Sequence, residues 1–98
     1  MYNYKKFHVE NMISVKSGYP TRNQFVITIK TKKGIIEVFQ SYNTTIAVKD
    51  ENGQITLDKN YWDCSVTTSA YRSRFLGENT KETRKKIEKG IYKLSNLN

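Results

Sequence analysis

Residues 44–57 read TTIAVKDENGQITL, which is the pattern of a β-hairpin. Two runs rich in β-branched residues, 44–48 and 55–57, flank the tetrapeptide Asp50-Glu51-Asn52-Gly53. Asn-Gly dipeptides supply the positive φ that tight turns require. This stretch therefore predicts two antiparallel strands, around which the rest of the fold has to be arranged.

Two upstream segments place apolar residues at every second position. These residues are Phe7, Val9, Ile13 and Val15 in the first segment, and Phe25, Ile27 and Ile29 in the second. Such alternation predicts half-buried strands. After a turn at 31–34, residues 35–39 read IIEVF, with apolar side chains on both faces. That pattern is typical of a central strand, so we expect another layer over the sheet.

A first helix is predicted over about residues 66–76. Thr68, Tyr71 and Phe75 recur at spacings of three and four, and Gly77 follows where a left-handed C-cap would fall. Either Ser65 or Thr67 is suited to cap its start.

A second helix is predicted from Asn79 to Gly90. Asn79 and Glu82 have the spacing of a capping box. The inner stripe would be Thr83 and Ile87, and the outer row Lys81, Lys85 and Lys89. Beyond it, Ile91 and Leu94 either fold back onto the helix or add a last short strand. The expected architecture is α+β, an antiparallel sheet of about five strands followed by two short helices on one face, in a single domain spanning residues 1–98.

The cysteine count and the distribution of apolar residues indicate in which compartment the protein is expected. The chain has one cysteine, Cys64, so it has no internal disulfide, and it contains no run of some 18 apolar residues. We therefore expect a cytoplasmic protein without membrane association. The oligomeric state stays open, with a homodimer as one possibility.

Few residues favour catalysis or metal binding. The single His8 and the single Cys64 fall on different elements, and a structural zinc site would need four ligands. No pair of carboxylates suits magnesium, and the five glycines form no phosphate-binding loop. We expect a protein that is not an enzyme and that uses no cofactor or metal.

The net charge of +8 is concentrated at the two ends of the chain. Residues 1–33 carry seven Lys and Arg against Glu10, and residues 71–98 carry eight against three Glu, whereas residues 34–70 are net acidic. Clustered cations gain affinity for a polyanion by releasing its counterions. The hypothesis is that both ends converge on one basic surface that binds a nucleic acid or a nucleoprotein.

Candidate binding residues combine cations, exposed tyrosines and hydroxyls near the first helix start. They are Arg72, Arg74, Lys81, Arg84, Lys85, Lys89, Tyr42, Tyr61, Ser65, Thr67 and Thr68. Helix N-termini and arginines bind phosphate, and tyrosines stack on unpaired bases. Two alternatives are structural. Trp62, Tyr61 and Phe75 would form core beside a capping hydroxyl, and the second helix would be a solvated surface with Glu82–Lys86 and Arg84–Glu88 ion pairs.

Three strings carry a family resemblance: Ser41-Tyr42-x-Thr44-x-Ile46-Ala47, Tyr61-Trp62-x-Cys64-Ser65-x-Thr67-Thr68 and Phe75-Leu76-Gly77. Over roughly residues 39–93 the chain resembles a domain of small, uncharacterised proteins from phages and conjugative elements of low-GC Gram-positive bacteria. That pattern more often has Tyr at position 64, which argues against an essential Cys64 thiol. The resemblance implies a mobile-element setting and no mechanism.

Three roles remain open for such a protein. One is an inhibitor of a host defence nuclease, of the anti-CRISPR or anti-restriction type. The second is a sequence-nonspecific DNA- or RNA-binding protein of phage replication or transcription, and the third is a structural or self-assembling virion component. Helix-turn-helix reading of a base sequence is disfavoured, because the second helix offers few side chains that read base edges.

Overall fold

The computed structural model describes residues 6–14 and 16–98. Its elements follow in the order β1 (Lys6–Ile13), β2 (Pro20–Thr31), β3 (Gly34–Ser41), β4 (Thr44–Lys49), β5 (Ile55–Asp58), α1 (Val66–Leu76), α2 (Thr80–Glu88) and β6 (Lys93–Ser95). The strands form one sheet in sequence order. All neighbours are antiparallel except β6, which runs parallel to β5. The α+β class is confirmed, and the sheet gains the short last strand that was one of the two expectations.

The β4–β5 hairpin forms where the sequence predicts it. Gly53 has φ 82°, and its N–H donates to the Asp50 carbonyl at 3.0 Å. The Asp50 carboxylate accepts the N–H of Asn52 at 2.9 Å and of Gln54 at 3.0 Å. The loop is thus closed by its own backbone and by one aspartate side chain, which fixes the register of both strands.

Both helices begin at the predicted caps. The Ser65 hydroxyl accepts the N–H of Thr68 at 3.1 Å, and α1 ends at Gly77 with φ 71°. Asn79 and Glu82 form a reciprocal capping box at the start of α2. Helix α2 ends at Glu88, two residues before the glycine at which the sequence pattern placed its end.

The core lies between the helices and one face of the sheet. Its buried apolar residues are Phe39, Ile46, Ala47, Ile55, Leu57, Tyr71 and Tyr92. The ring of Phe39 stacks on Phe75 of α1 with centroids 5.9 Å apart. Helix α1 packs across β2 and β3, whereas Ile87 of α2 contacts the edge of the core. The two helices therefore make one layer over one face.

The predicted half-burial of β1 was wrong. Phe7 and Val9 are 65% and 55% exposed. The register pairs Val9 with Ile27 and Ile27 with Val38, so these residues lie on the face opposite to Phe39 and the helices. Alternation shows that one face of a strand is apolar but not whether a layer covers it. The expected burial of Val15 lies outside the described residues.

Strand β3 is central, as predicted, because it lies between β2 and β4. The layer expected over the sheet covers only the face on which Phe39 lies. Its other face, with Ile36 and Val38, has no helix over it in the part of the chain that the structure describes. The apolar residues on the two faces of β3 therefore have different surroundings. Those on the side of Phe39 pack under the helices, and those on the other side have no helix over them within the described residues.

Candidate functional site

The segment between β5 and α1 is held by Asp58, which is fully buried. Its carboxylate accepts the backbone N–H of Asn60, Tyr61 and Leu97 at 3.0, 2.9 and 2.8 Å, and the side-chain amide of Asn98 at 3.1 Å. Burial alone raises the pKa of Asp58, but these hydrogen bonds outweigh burial and hold the pKa below its usual 3.8. One carboxylate thus ties the junction to the C-terminal segment.

Arg72 lies at the centre of a clamp that joins both helices to this junction. Its side chain is fully buried, and its guanidinium lies 5.1 Å from the centroid of the Trp62 ring. It donates hydrogen bonds to the Trp62 carbonyl and the Thr80 hydroxyl. Arg84 of α2 also lies over this ring, at 5.4 Å, and both arginines pair with Asp63, at 3.4 Å for Arg72 and 2.9 Å for Arg84.

Asp63 lies between two arginines that both stabilise its negative charge but repel each other. Burial alone raises the pKa of Asp63, but hydrogen bonds from Ser69 and Arg72 and the charges of Arg72 and Arg84 lower it below 3.8. Burial lowers the pKa of Arg72, and the hydrogen bond and charge of Asp63 oppose that effect. Because Arg72 is enclosed and bonded to protein groups, it has no surface to offer to a phosphate.

The hydroxyls at the start of α1 divide into structural and exposed groups. Ser65 caps the helix, and Thr68 is buried with its hydroxyl 3.1 Å from that of Ser41. Thr67 is exposed. The structural alternative therefore holds for Ser65 as the cap, whereas Thr68 is a buried hydroxyl that it did not include. Of the three hydroxyls, only Thr67 is both exposed and outside these bonds.

Helix α2 and its C-cap present Lys81, Lys85 and Lys89 in one exposed row, which we call the lysine row. The ion pairs expected along α2 do not form, because Lys86 pairs with Glu78 at 2.6 Å and Arg84 with Asp63. Among the described residues, the acids in ion pairs are Asp63, Glu78 and Glu10, and none of them pairs with the lysine row.

The remaining candidates lie at the surface. Tyr42 is 57% exposed at the β3–β4 turn, where its φ is 55°, and Tyr61 is 44% exposed after β5. Strands β3 and β5 run in the same direction, so both tyrosines lie at the end of the sheet where α1 begins. Arg74 is exposed, and its guanidinium donates to the Ile13 carbonyl of β1.

The described N-terminal cations lie on β1, on β2 and in the turns that follow these two strands. Strand β1 is one edge of the sheet and β6 is the other. Helix α2 is tied by Arg84 to the β5–α1 junction and by Lys86 to the segment entering β6. Lys32 and Lys33 lie in the β2–β3 turn, where Thr31 donates a hydrogen bond to Glu51 of the β4–β5 hairpin. The convergence of both basic ends on one surface stays a prediction.

The two residues considered for catalysis lie on different elements of the fold. His8 lies on the edge strand β1, where its Nε2 is 2.8 Å from Glu10, and Cys64 is exposed at the β5–α1 junction. Within residues 6–14 and 16–98, no three His, Cys, Asp or Glu side chains are grouped to hold a metal ion. No helix of the described part is long and apolar enough to cross a membrane.

Sequence reasoning missed the role of Glu78. Its carboxylate, only 5% exposed, accepts hydrogen bonds from Lys86, Thr83 and Tyr92 at 2.6, 2.7 and 2.7 Å. Burial alone raises its pKa, but these three bonds, led by Lys86, lower the pKa below 4.5. Directly after a helix-ending glycine, a glutamate carries no sequence signal that separates a buried acceptor from a solvated turn.

The comparisons with known proteins identify a family and no function. No curated protein and no solved structure shows significant similarity to the chain. Residues 8–90 match a family described as of unknown function, DUF8033. The match takes in β1 from residue 8 onward and every element from β2 to α2, including the clamp and the lysine row. This chain is therefore a member of the DUF8033 family.

Proposed function

We propose that this protein binds nucleic acid, free or within a nucleoprotein, through the lysine row of α2. The observation that carries the proposal is that Lys81, Lys85 and Lys89 are exposed on successive turns and belong to none of the ion pairs of the described residues. Ammonium groups without protein partners are available to replace counterions on a phosphate backbone.

The spacing of the row suits a phosphate backbone. Residues four apart are separated by about 6 Å along a helix axis, so the row extends about 12 Å. A strand of nucleic acid advances about 3.4 Å per phosphate along the duplex axis, so the row spans several phosphates. Three contacts predict that log affinity falls with log salt with a slope of about −2 to −3.

The exposed tyrosines support single strands as the preferred form. Tyr42 and Tyr61 leave their rings accessible at one end of the sheet. Base stacking on an aromatic ring contributes about 1–3 kcal/mol and tolerates any base. Arg72 and Thr68, which are buried, have no part in this proposal, and Ser65 contributes only through the helix that it caps.

Fluorescence anisotropy with a labelled oligonucleotide tests the proposal. Lys85→Glu with Lys89→Glu is compared with Lys32→Glu with Lys33→Glu, since each pair changes the net charge by the same amount at exposed lysines. We expect the α2 pair to weaken binding at least about tenfold and to reduce the salt slope by about 2, and the turn pair to weaken it less than about threefold.

Two results would contradict the proposal. Equal weakening by both pairs would show that binding follows net charge and uses no particular surface. A wild-type protein that binds neither single-stranded nor duplex DNA or RNA at about 50 mM salt would have no free nucleic acid as its ligand.

Inhibition of a host defence nuclease stays a prediction. A basic row is suited to a guide RNA or to an acidic patch of a protein. Capture from host lysate with and without nuclease treatment distinguishes the two, because capture through RNA is lost on digestion and capture through a protein is retained. Retained capture that Lys85→Glu with Lys89→Glu does not weaken would remove the lysine row from the interface.

A further inference from the structure

The face of the sheet opposite to the helices is apolar across four strands. Register places Val9, Ile27, Val38 and Val48 in one row from β1 to β4. A neighbouring row holds Phe7, Ile29 and Ile36, and Phe25 lies on the other side. We call these eight residues the open face. The interior residues among them are only half-buried, and Phe7 and Val9 are exposed, because no element covers them within the described residues.

Charge is separated strictly between the two faces. At the paired positions of β1–β4 that the structure describes, Asn11, Gln40 and Thr45 join the open face, and no charged residue does. The charged residues at the paired positions of these strands lie on the other face, together with His8: they are Lys6, Glu10, Lys30, Glu37 and Lys49. An uncharged face offers nothing to a phosphate or an anionic headgroup, so its partner is itself apolar and uncharged.

The open face is large enough to bury the minimum area of a stable protein interface. Four strands about 4.8 Å apart, with two or three residues each on this face at about 6.7 Å intervals, give a footprint of roughly 20 by 20 Å. This footprint takes in Asn11, Gln40 and Thr45 beside the eight apolar residues. Side chains make each face uneven, so its accessible area exceeds the flat footprint. Two such faces in contact bury on the order of 1,000 Å² of accessible surface in total, which is the lower bound for a specific interface. Monomeric proteins rarely leave an apolar patch of several hundred square ångströms uncovered.

We propose that the open face is covered by the open face of a second copy of this chain. Twisted sheets pack face to face about 10 Å apart, and a two-fold axis brings the same patch together from both copies. Seven apolar residues are buried in the described part of the monomer, whereas the open face carries eight, so pairing would add a second core between the copies. The helices, with their lysine rows, would then lie on the two outer surfaces of the dimer.

The expected salt dependence separates this interface from the proposed nucleic-acid site. Each copy carries a net charge of +8, so the copies repel each other at low salt. Salt screens this repulsion and does not weaken apolar contacts. Dimerisation is therefore expected to strengthen as salt rises, whereas nucleic-acid binding weakens.

Sedimentation velocity over a range of concentrations tests the dimer. Phe7→Lys with Val9→Lys alters the edge of the open face at positions that are exposed in the monomer, so the monomer fold is expected to persist. The control is Ile35→Lys with Val66→Lys, since these residues are 50% and 88% exposed and lie on the helix side of β3 and on α1. Circular dichroism checks that each variant is folded.

The wild type and the control are expected to form a species of twice the 11.5 kDa chain mass. Phe7→Lys with Val9→Lys should raise the dissociation constant at least about tenfold, which corresponds to two lysines placed in an apolar interface. If this variant does not fold, Val9→Lys alone is the second variant. The salt dependence of the wild-type dimer then also tests whether the interface is apolar.

Three results would overturn the proposal. The first is a wild-type protein that stays monomeric at several hundred micromolar in both low and high salt; the open face would then take a different protein or a lipid. The second is a dimer that survives the Phe7 and Val9 substitutions, and the third is a dimer that dissociates as salt rises. Lys85→Glu with Lys89→Glu leaves the dimer intact, so failure of either proposal is seen without the other.

Discussion

Replacing Arg72 by Met is expected to destabilise the fold strongly and to leave nucleic-acid binding by the folded protein unchanged. The Arg72 side chain is fully buried and bonds to the Trp62 carbonyl and the Thr80 hydroxyl, with Asp63 at 3.4 Å. Methionine has a flexible apolar side chain and no donors. The substitution therefore removes hydrogen bonds and charge while keeping much of the packing.

The magnitude follows from the partners that are lost. A hydrogen bond to a charged group contributes about 1.5–3 kcal/mol, and breaking a buried ion pair costs about 3–5 kcal/mol. Asp63 is 33% exposed and keeps Arg84 at 2.9 Å, so its charge is not left without a partner. We therefore expect a loss of about 2–4 kcal/mol, which lowers the Tm of a domain of this size by roughly 10–25 °C.

Arg84→Met is the matched control. Arg84 shares the Trp62 ring and the Asp63 carboxylate with Arg72, but its side chain is 52% exposed. An exposed pair contributes about 0.2–1 kcal/mol, so this variant should lose about 1 kcal/mol or less. Urea denaturation followed by the fluorescence of Trp62, the single tryptophan, measures both variants.

Equal losses of stability in the two variants would refute the clamp, because burial is what distinguishes the two arginines. A second result would refute the assignment of Arg72 to the interior. If folded Arg72→Met protein lost nucleic-acid affinity as Lys85→Glu with Lys89→Glu does, Arg72 would have to contact phosphate.

Two further predictions concern the caps and the buried acids. Ser65→Ala removes the acceptor of the Thr68 N–H and should cost about 1 kcal/mol in urea denaturation, whereas Thr67→Ala should change stability by less than about 0.5 kcal/mol; equal effects would contradict the cap. The pKa values of Asp58 and Glu78 are lowered in the folded protein, so the stability that these carboxylates add is present above their unfolded pKa values of about 4 and is lost as the pH falls through the folded ones. The urea midpoint should drop as the pH falls below about 5, and Glu78→Gln should flatten that drop; a midpoint that does not move between pH 7 and 3 would contradict it.

The local elements of this fold were predictable because each is specified by neighbouring residues. Asn52-Gly53 marks the hairpin, Ser65 was one of two candidates for the cap of α1, and Asn79 with Glu82 begins α2. The structure has the hairpin and both helix starts at these residues. The hydrogen bonds of turns and helix caps join residues within about four positions, so a single sequence is enough to predict them.

The candidate site was predictable only in part, since a charged residue type does not tell where its side chain lies. Arg72 and Lys85 are both basic residues on helices, yet Arg72 is buried against Trp62 and Lys85 is exposed. The difference arises from helix packing against the β5–α1 junction, which brings residues ten or more positions apart into contact. Spacing in one helix does not encode that contact.

By itself, the sequence determined the α+β class, the positions of both helices and the excess of positive charge, because propensity, capping and composition are local or additive properties. Only the tertiary structure decided that β6 joins β5, that Glu78 is enclosed by Lys86 and Tyr92, and that the helices cover one face of the sheet and leave Val9 on the other. The physical reason is that burial and partner choice depend on which elements meet in space, and alternation in a strand specifies two faces without specifying what lies on either.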